Sequence, residues 1–141
     1  MNLIKKDLMF NWVVPSYGSG HGRRITEDLR VNFKNGYVYL GIDFLREHYP
    51  SIDEKIVNVA FLLDGNADDA FIYIEPKEGV PFYKFKNTRH QHKQSSPMVS
   101  NKQLVTLFAK TFGVKNMNAI MSFDLQAFSI NGMLLYKIVA K

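Results

Sequence analysis

The ten residues Lys84-Phe-Lys-Asn-Thr-Arg-His-Gln-His-Lys93 hold Lys84, Lys86, Arg89 and Lys93 beside His90 and His92, with no carboxylate among them. This is chemistry for a polyanion. Lysine and arginine neutralise phosphates and release their counterions, while Asn, Thr and Gln bond to phosphate oxygens or base edges and histidine stacks or donates. Tyr83 and Phe85 alternate with the lysines, a spacing at which an aromatic ring could receive an unpaired base. A second basic segment, Ser16-Tyr-Gly-Ser-Gly-His-Gly-Arg-Arg24, sets three glycines before Arg23 and Arg24. Backbone N–H groups there can approach a phosphate that the two guanidinium groups grip, with a plain flexible linker as the competing reading. The candidate nucleic-acid-binding residues are therefore Arg23, Arg24, Tyr83, Lys84, Lys86, Arg89, His90, His92 and Lys93, joined by Lys102 and Lys110 from a basic helix face.

Other constellations are weaker. His90 and His92 stand two apart with no third ligand at a metal-like spacing, and His21 and His48 are isolated, so no metal site is expected. Asp64, Asn66 and Asp68 fall at positions 1, 3 and 5 of a calcium loop with Glu75 at position 12. Position 6 is Asp69, where the sharp turn needs glycine, and strand-like sequence replaces the flanking helices, so a polar hairpin tip is expected instead. Gly18-Ser-Gly20 completes neither a Walker loop nor a dinucleotide fingerprint. Ser95, Ser96 and Ser100 have no base-and-acid partners apart from the two neighbouring histidines. The chain reads as a non-enzymatic binder that uses no cofactor.

The charge distribution agrees with that reading. From Gly79 to Phe123 the chain runs 45 residues without Asp or Glu and carries a formal +7, whereas Asp43 to Glu78 carries −6. The net +5 thus conceals a positive and a negative region, and such a field draws polyanions to one side. Absence of cysteine fits a reducing compartment, and Met1-Asn-Leu-Ile-Lys-Lys-Asp7 lacks an apolar signal core. A cytoplasmic protein with no membrane partner is expected. With 141 residues, 46% of them hydrophobic, the chain suits a single domain over 1–141, interrupted by flexible basic loops at 15–24 and 87–99.

Elements must hold these groups in place. Leu8 to Val14 reads as a short strand ended by Pro15. Leu29 to Phe33 and Tyr37 to Leu40 read as a hairpin around Asn35-Gly36, a dipeptide suited to a type I′ turn, and Ile42 to Tyr49 as a two-turn helix bounded by Pro50. Lys55 to Leu63 and Ala70 to Glu75 form a second hairpin, and Pro81 to Lys86 a further strand with Lys84 facing away from Tyr83 and Phe85. Ser100 and Gln103 suggest a capping box for a long helix packing through Leu104, Leu107, Phe108 and Phe112 and stopped by Gly113. Strands near Ala119 to Ile130 and Met133 to Val139 close the chain around Asn131-Gly132. The expected fold is α+β, an antiparallel sheet of about six to eight strands with one long and one short helix.

Val31-Asn-Phe-Lys-Asn-Gly-Tyr-Val-Tyr-Leu-Gly-Ile-Asp-Phe-Leu45, with Ile56-Val-Asn-Val-Ala-Phe-Leu-Leu-Asp-Gly65 and Phe71-Ile-Tyr-Ile-Glu-Pro76, resembles a broad group of small phage and mobile-element proteins. The order of strands and helices is similar to that of single-stranded-DNA-binding coactivator folds, in which a curved antiparallel sheet backed by a helix holds nucleic acid, often as a dimer. The compact α+β design also resembles that of anti-CRISPR proteins. These resemblances imply DNA or RNA as partner and a homodimer. They also imply an alternative, an inhibitor that binds a nucleic-acid-handling protein such as a CRISPR effector nuclease, or its guide RNA.

Overall fold

The structure, a computed structural model, describes residues 12–13, 25–87 and 95–141. Its strands are β1 (Leu29–Asn32), β2 (Tyr37–Leu40), β3 (Ile56–Leu62), β4 (Phe71–Ile74), β5 (Tyr83–Lys86), β6 (Met98–Ser100), β7 (Ile120–Ile130) and β8 (Met133–Ala140). They pair antiparallel in the order β1-β2-β6-β5-β3-β4-β8-β7 and close into a barrel, because β7 returns to pair with β1, Leu29 opposite Phe123. The antiparallel sheet expected from the sequence is thus closed on itself as a barrel. Closure joins segments some ninety residues apart and leaves no local trace in the chain, but it removes both edges from most of the sheet.

Eight strands enclose a lumen that side chains can fill. Here the inward residues include Val57, Val59 and Phe61 of β3, Tyr83 and Phe85 of β5, Phe123 and Leu125 of β7, and Tyr136 and Ile138 of β8. The Phe61 ring lies 5.8 Å from those of both Tyr83 and Phe85. Helices close the two ends. At one, α1 (Ile42–His48) lays Phe44 with its ring 5.0 Å from Tyr136, and Tyr49 caps the helix as the chain turns into Pro50. At the other, α2 (Lys102–Phe112) buries Leu104, Val105 and Phe108, the last 5.6 Å from Phe61 and 5.8 Å from Phe123. No helix among the described residues is long and apolar enough to cross a membrane.

Local chemistry explains where the elements depart from expectation. The capping residue of α2 is Asn101, not Ser100: its Oδ1 accepts from the Leu104 N–H at 2.8 Å, and Ser100 ends β6. Gly113, at φ 67°, stops the helix as expected. The Asn-Gly pairs diverge. Asn131 and Gly132 have φ of 49° and 75° between the paired residues Ile130 and Met133, a two-residue turn of the kind the dipeptide favours. At Asn35-Gly36 only the glycine has positive φ, and four residues separate the strands, with the Gly36 N–H donating to Asn32 O at 2.9 Å. The basic loop expected over 87–99 also ends earlier. Ser95 to Val99 are buried, and Met98–Ser100 is a strand between β2 and β5. Of the first expected strand, Trp12 bridges to Leu62 and Val13 is buried, while the rest lies outside the described residues.

Candidate nucleic-acid interface

β5 alternates buried and exposed positions, so Lys84 and Lys86 share the outer wall of the barrel while Tyr83 and Phe85 face the lumen. Across the wall Lys84 pairs with Asn58 and Lys86 with Ile56 of β3, and on the other side Lys86 pairs with Met98 of β6. Neither lysine forms an ion pair with any described residue. Lys55, also exposed, stands at the foot of the same wall, where its carbonyl accepts from the Asn87 N–H at 3.0 Å.

Tyr83 leaves the proposed site. Its side chain is 1% exposed, and burial pushes its phenol up to about 12, so no ring is available to a base. The alternation that set Tyr83 beside the lysines in sequence sets it on the opposite face in the barrel. Phe85 is fully buried for the same reason.

Side chains close the base of the cationic segment. Asn87 Nδ2 donates to the Ser95 carbonyl at 2.7 Å, joining the two residues that bracket 88–94. Next to it Ser96, fully buried, accepts with its Oγ from the Ile25 N–H at 3.1 Å and the Ile42 N–H at 3.3 Å. Ile25 is thereby bonded to Ser96. Arg23 and Arg24 precede Ile25 directly in sequence, and Lys93 precedes Ser95 by two. Arg23, Arg24, Arg89, His90, His92 and Lys93 themselves lie outside the described residues.

Lys102 and Lys110 are exposed on α2, at the barrel end opposite α1. Met98 pairs with Lys86 near the loop, whereas Ser100 pairs with Tyr37, so β6 carries the chain from one end to the other before Lys102 begins the helix. The helix lysines and the pair Asn87 and Ser95 thus sit at opposite ends, with Lys84 and Lys86 along the wall between them.

Of the carboxylates, Asp53 is exposed beside Lys55, whose N–H donates to its Oδ1 at 3.0 Å, while two others are held in ion pairs, Glu54 near the wall and Glu27 on the opposite side of the barrel. Glu54 holds Arg46, with Nε donating at 2.8 Å, and Glu27 holds Arg30, with Nε donating at 2.6 Å. Glu75 lies across Asn58 from Lys84, its N–H donating to Asn58 O at 2.8 Å; the residue is exposed, and partial desolvation raises its carboxyl from the ordinary value. Two acceptors on the wall, Asn58 Oδ1 and Asn87 Oδ1, are buried without a hydrogen-bond partner. The calcium-loop spacing dissolves in the fold, because β4 carries Glu75 to the far end of the barrel from Asp64 and Asp68, and Asn66 Oδ1 is already taken by the Asp68 N–H at 3.0 Å. Among the described residues no three metal-binding side chains come together.

Sequence reasoning missed Ser96, Asn87 and Lys55. Ser95-Ser96-Pro97 contains nothing that periodicity could register, and the Ser96 partners lie 71 and 54 residues away. No protein-family model matches this chain, nor does any curated protein or solved structure.

Proposed function

We propose that this protein is a non-enzymatic nucleic-acid binder that grips the phosphate backbone of DNA or RNA at the end of the barrel that carries Ile25, Asn87 and Ser95, the described residues that adjoin its basic segments. Lys84, Lys86 and Lys55 form one part of the surface, and Arg23, Arg24, Arg89 and Lys93, with His90 and His92, supply the remainder. The observation that supports this is the Ser96 hydroxyl bonded to both Ile25 and Ile42, beside the Asn87 clamp on Ser95. With Tyr83 and Phe85 enclosed, binding proceeds by charge rather than by base stacking and so discriminates little between sequences.

The test is a salt titration of binding to labelled single-stranded DNA, duplex DNA and RNA. Replacing Lys84 and Lys86 together by Ala is expected to reduce the slope of log affinity against log salt by about 1.4 to 1.8 units, since each phosphate contact contributes about 0.7 to 0.9. A wild-type protein with no affinity for any of the three at low salt would refute the proposal.

A further inference from the structure

β7 is longer than its neighbour. β1 pairs with it from Ile120 to Phe123, and beyond that the Leu125 N–H is taken by the Asp28 carboxylate at 3.0 Å, which ends the ladder. Among the described residues, Gln126 to Ile130 of β7 pair with β8 alone. The phase of that pairing follows from the Lys141 N–H donating to Ser122 O at 3.1 Å. Alternate residues Ser122, Asp124, Gln126, Phe128 and Ile130 direct their main chain to β8, so Ala127 and Ser129 direct theirs away from it. Gln126 to Ser129 are exposed, and the Phe128 side chain is 40% exposed.

Edges of this kind normally carry a lysine, a proline or a bulge that discourages pairing. Here the twelve residues Leu125 to Tyr136 contain no charge and no proline. In a chain of net charge +5, this is a stretch where a like-charged copy meets no local repulsion.

We propose that two copies of this chain associate through this edge, Gln126–Ile130 of one running antiparallel to Gln126–Ile130 of the other about a two-fold axis at Phe128. In that register Ala127 lies opposite the second copy's Ser129 and the reverse, so each outward N–H meets an outward carbonyl and four main-chain hydrogen bonds form. The two Phe128 side chains become direct cross-strand neighbours. An uncharged edge selects no charged partner, and the two-fold satisfies every open group of the segment with an identical one. This inference uses residues distinct from those of the nucleic-acid surface and stands or falls without it.

Sedimentation equilibrium of the full chain tests it, supported by amide hydrogen exchange. Wild-type protein at about 100 µM should show twice the 16.3 kDa chain mass, and the Ala127 and Ser129 amides should gain protection as concentration rises. Phe128→Lys places two ammonium groups at the axis, and Ser129→Pro deletes an outward N–H without touching the β8 ladder. Either variant should raise the dissociation constant at least tenfold with the far-ultraviolet dichroism unchanged. A wild-type monomer, a dimer that both folded variants preserve, or Ala127 and Ser129 amides that exchange equally at all concentrations would overturn the proposal.

Discussion

Glu27 shows how a single side chain ties the barrel shut. Its carboxylate receives Arg30 Nε and Nη2 at 2.6 and 2.9 Å and the Ser122 hydroxyl of β7 at 2.7 Å. The Arg30 guanidinium is the chief reason that this carboxyl is held down to about 2, from an ordinary value of 4.5. A depressed carboxyl contributes stability that is complete above the unfolded value and is lost as pH falls from about 4.5 toward 2. Glu27→Gln should therefore cost about 2 kcal/mol at neutral pH, as expected for charge-assisted bonds, and should flatten the acid limb of a stability–pH curve. Equal acid limbs in urea titrations of both proteins would contradict this. Gly41 is required for space rather than for conformation, since its φ is an ordinary −64°. A Cβ there would stand 2.2 Å from the Glu27 carbonyl oxygen, where the Gly41 N–H donates to Asp28 O at 2.7 Å. Gly41→Ala should lower stability by about 3 kcal/mol, an overpacking cost in rigid backbone surroundings, measured by chemical denaturation. Nothing in the sequence announces that contact, because Glu27 and Gly41 are brought together only once β1 and β2 have paired.

Among elements, those whose signals are local were legible and those defined by distant partners were not. The long helix could be read from Leu104, Phe108 and Gly113, and the last hairpin from Asn131-Gly132, because period and turn chemistry lie within a few residues. The same dipeptide at Asn35-Gly36 gives a different turn, since Phe33 is buried and its N–H donates to Ala119 O at 3.1 Å, extending the β1–β7 contact past the strand end. β6 escaped because three residues following Ser95-Ser96-Pro97 show no alternation, although β2 and β5 hold them. The helix start is a clean test of this level. Asn101→Ala removes the acceptor for the Leu104 N–H and should destabilise the protein by about 1 kcal/mol, whereas Ser100→Ala should leave the helix cap intact. The reverse ranking in thermal denaturation would restore the capping role to Ser100.

At the scale of the whole molecule, charge is what the sequence displays and placement is what the fold decides. Within the acid-free run from Gly79 to Phe123, Lys84 and Lys86 lie on a strand wall and Lys102 and Lys110 on a helix at one end of the barrel, so its described lysines are not one cluster. Tyr83 and Phe85, adjacent to the cations in sequence, become lumen residues, which removes stacking and leaves electrostatics. The Ser96 junction, invisible in the chain, bonds Ile25, which directly follows Arg23-Arg24, to the chain three residues after Lys93. The most direct test compares the salt dependence of nucleic-acid binding for wild type, Lys84→Ala/Lys86→Ala and Lys102→Ala/Lys110→Ala. The wall variant should lose about 1.4 to 1.8 units of slope, and the helix variant less than half of that. Equal slopes for wild type and the wall variant would contradict the assignment of this surface.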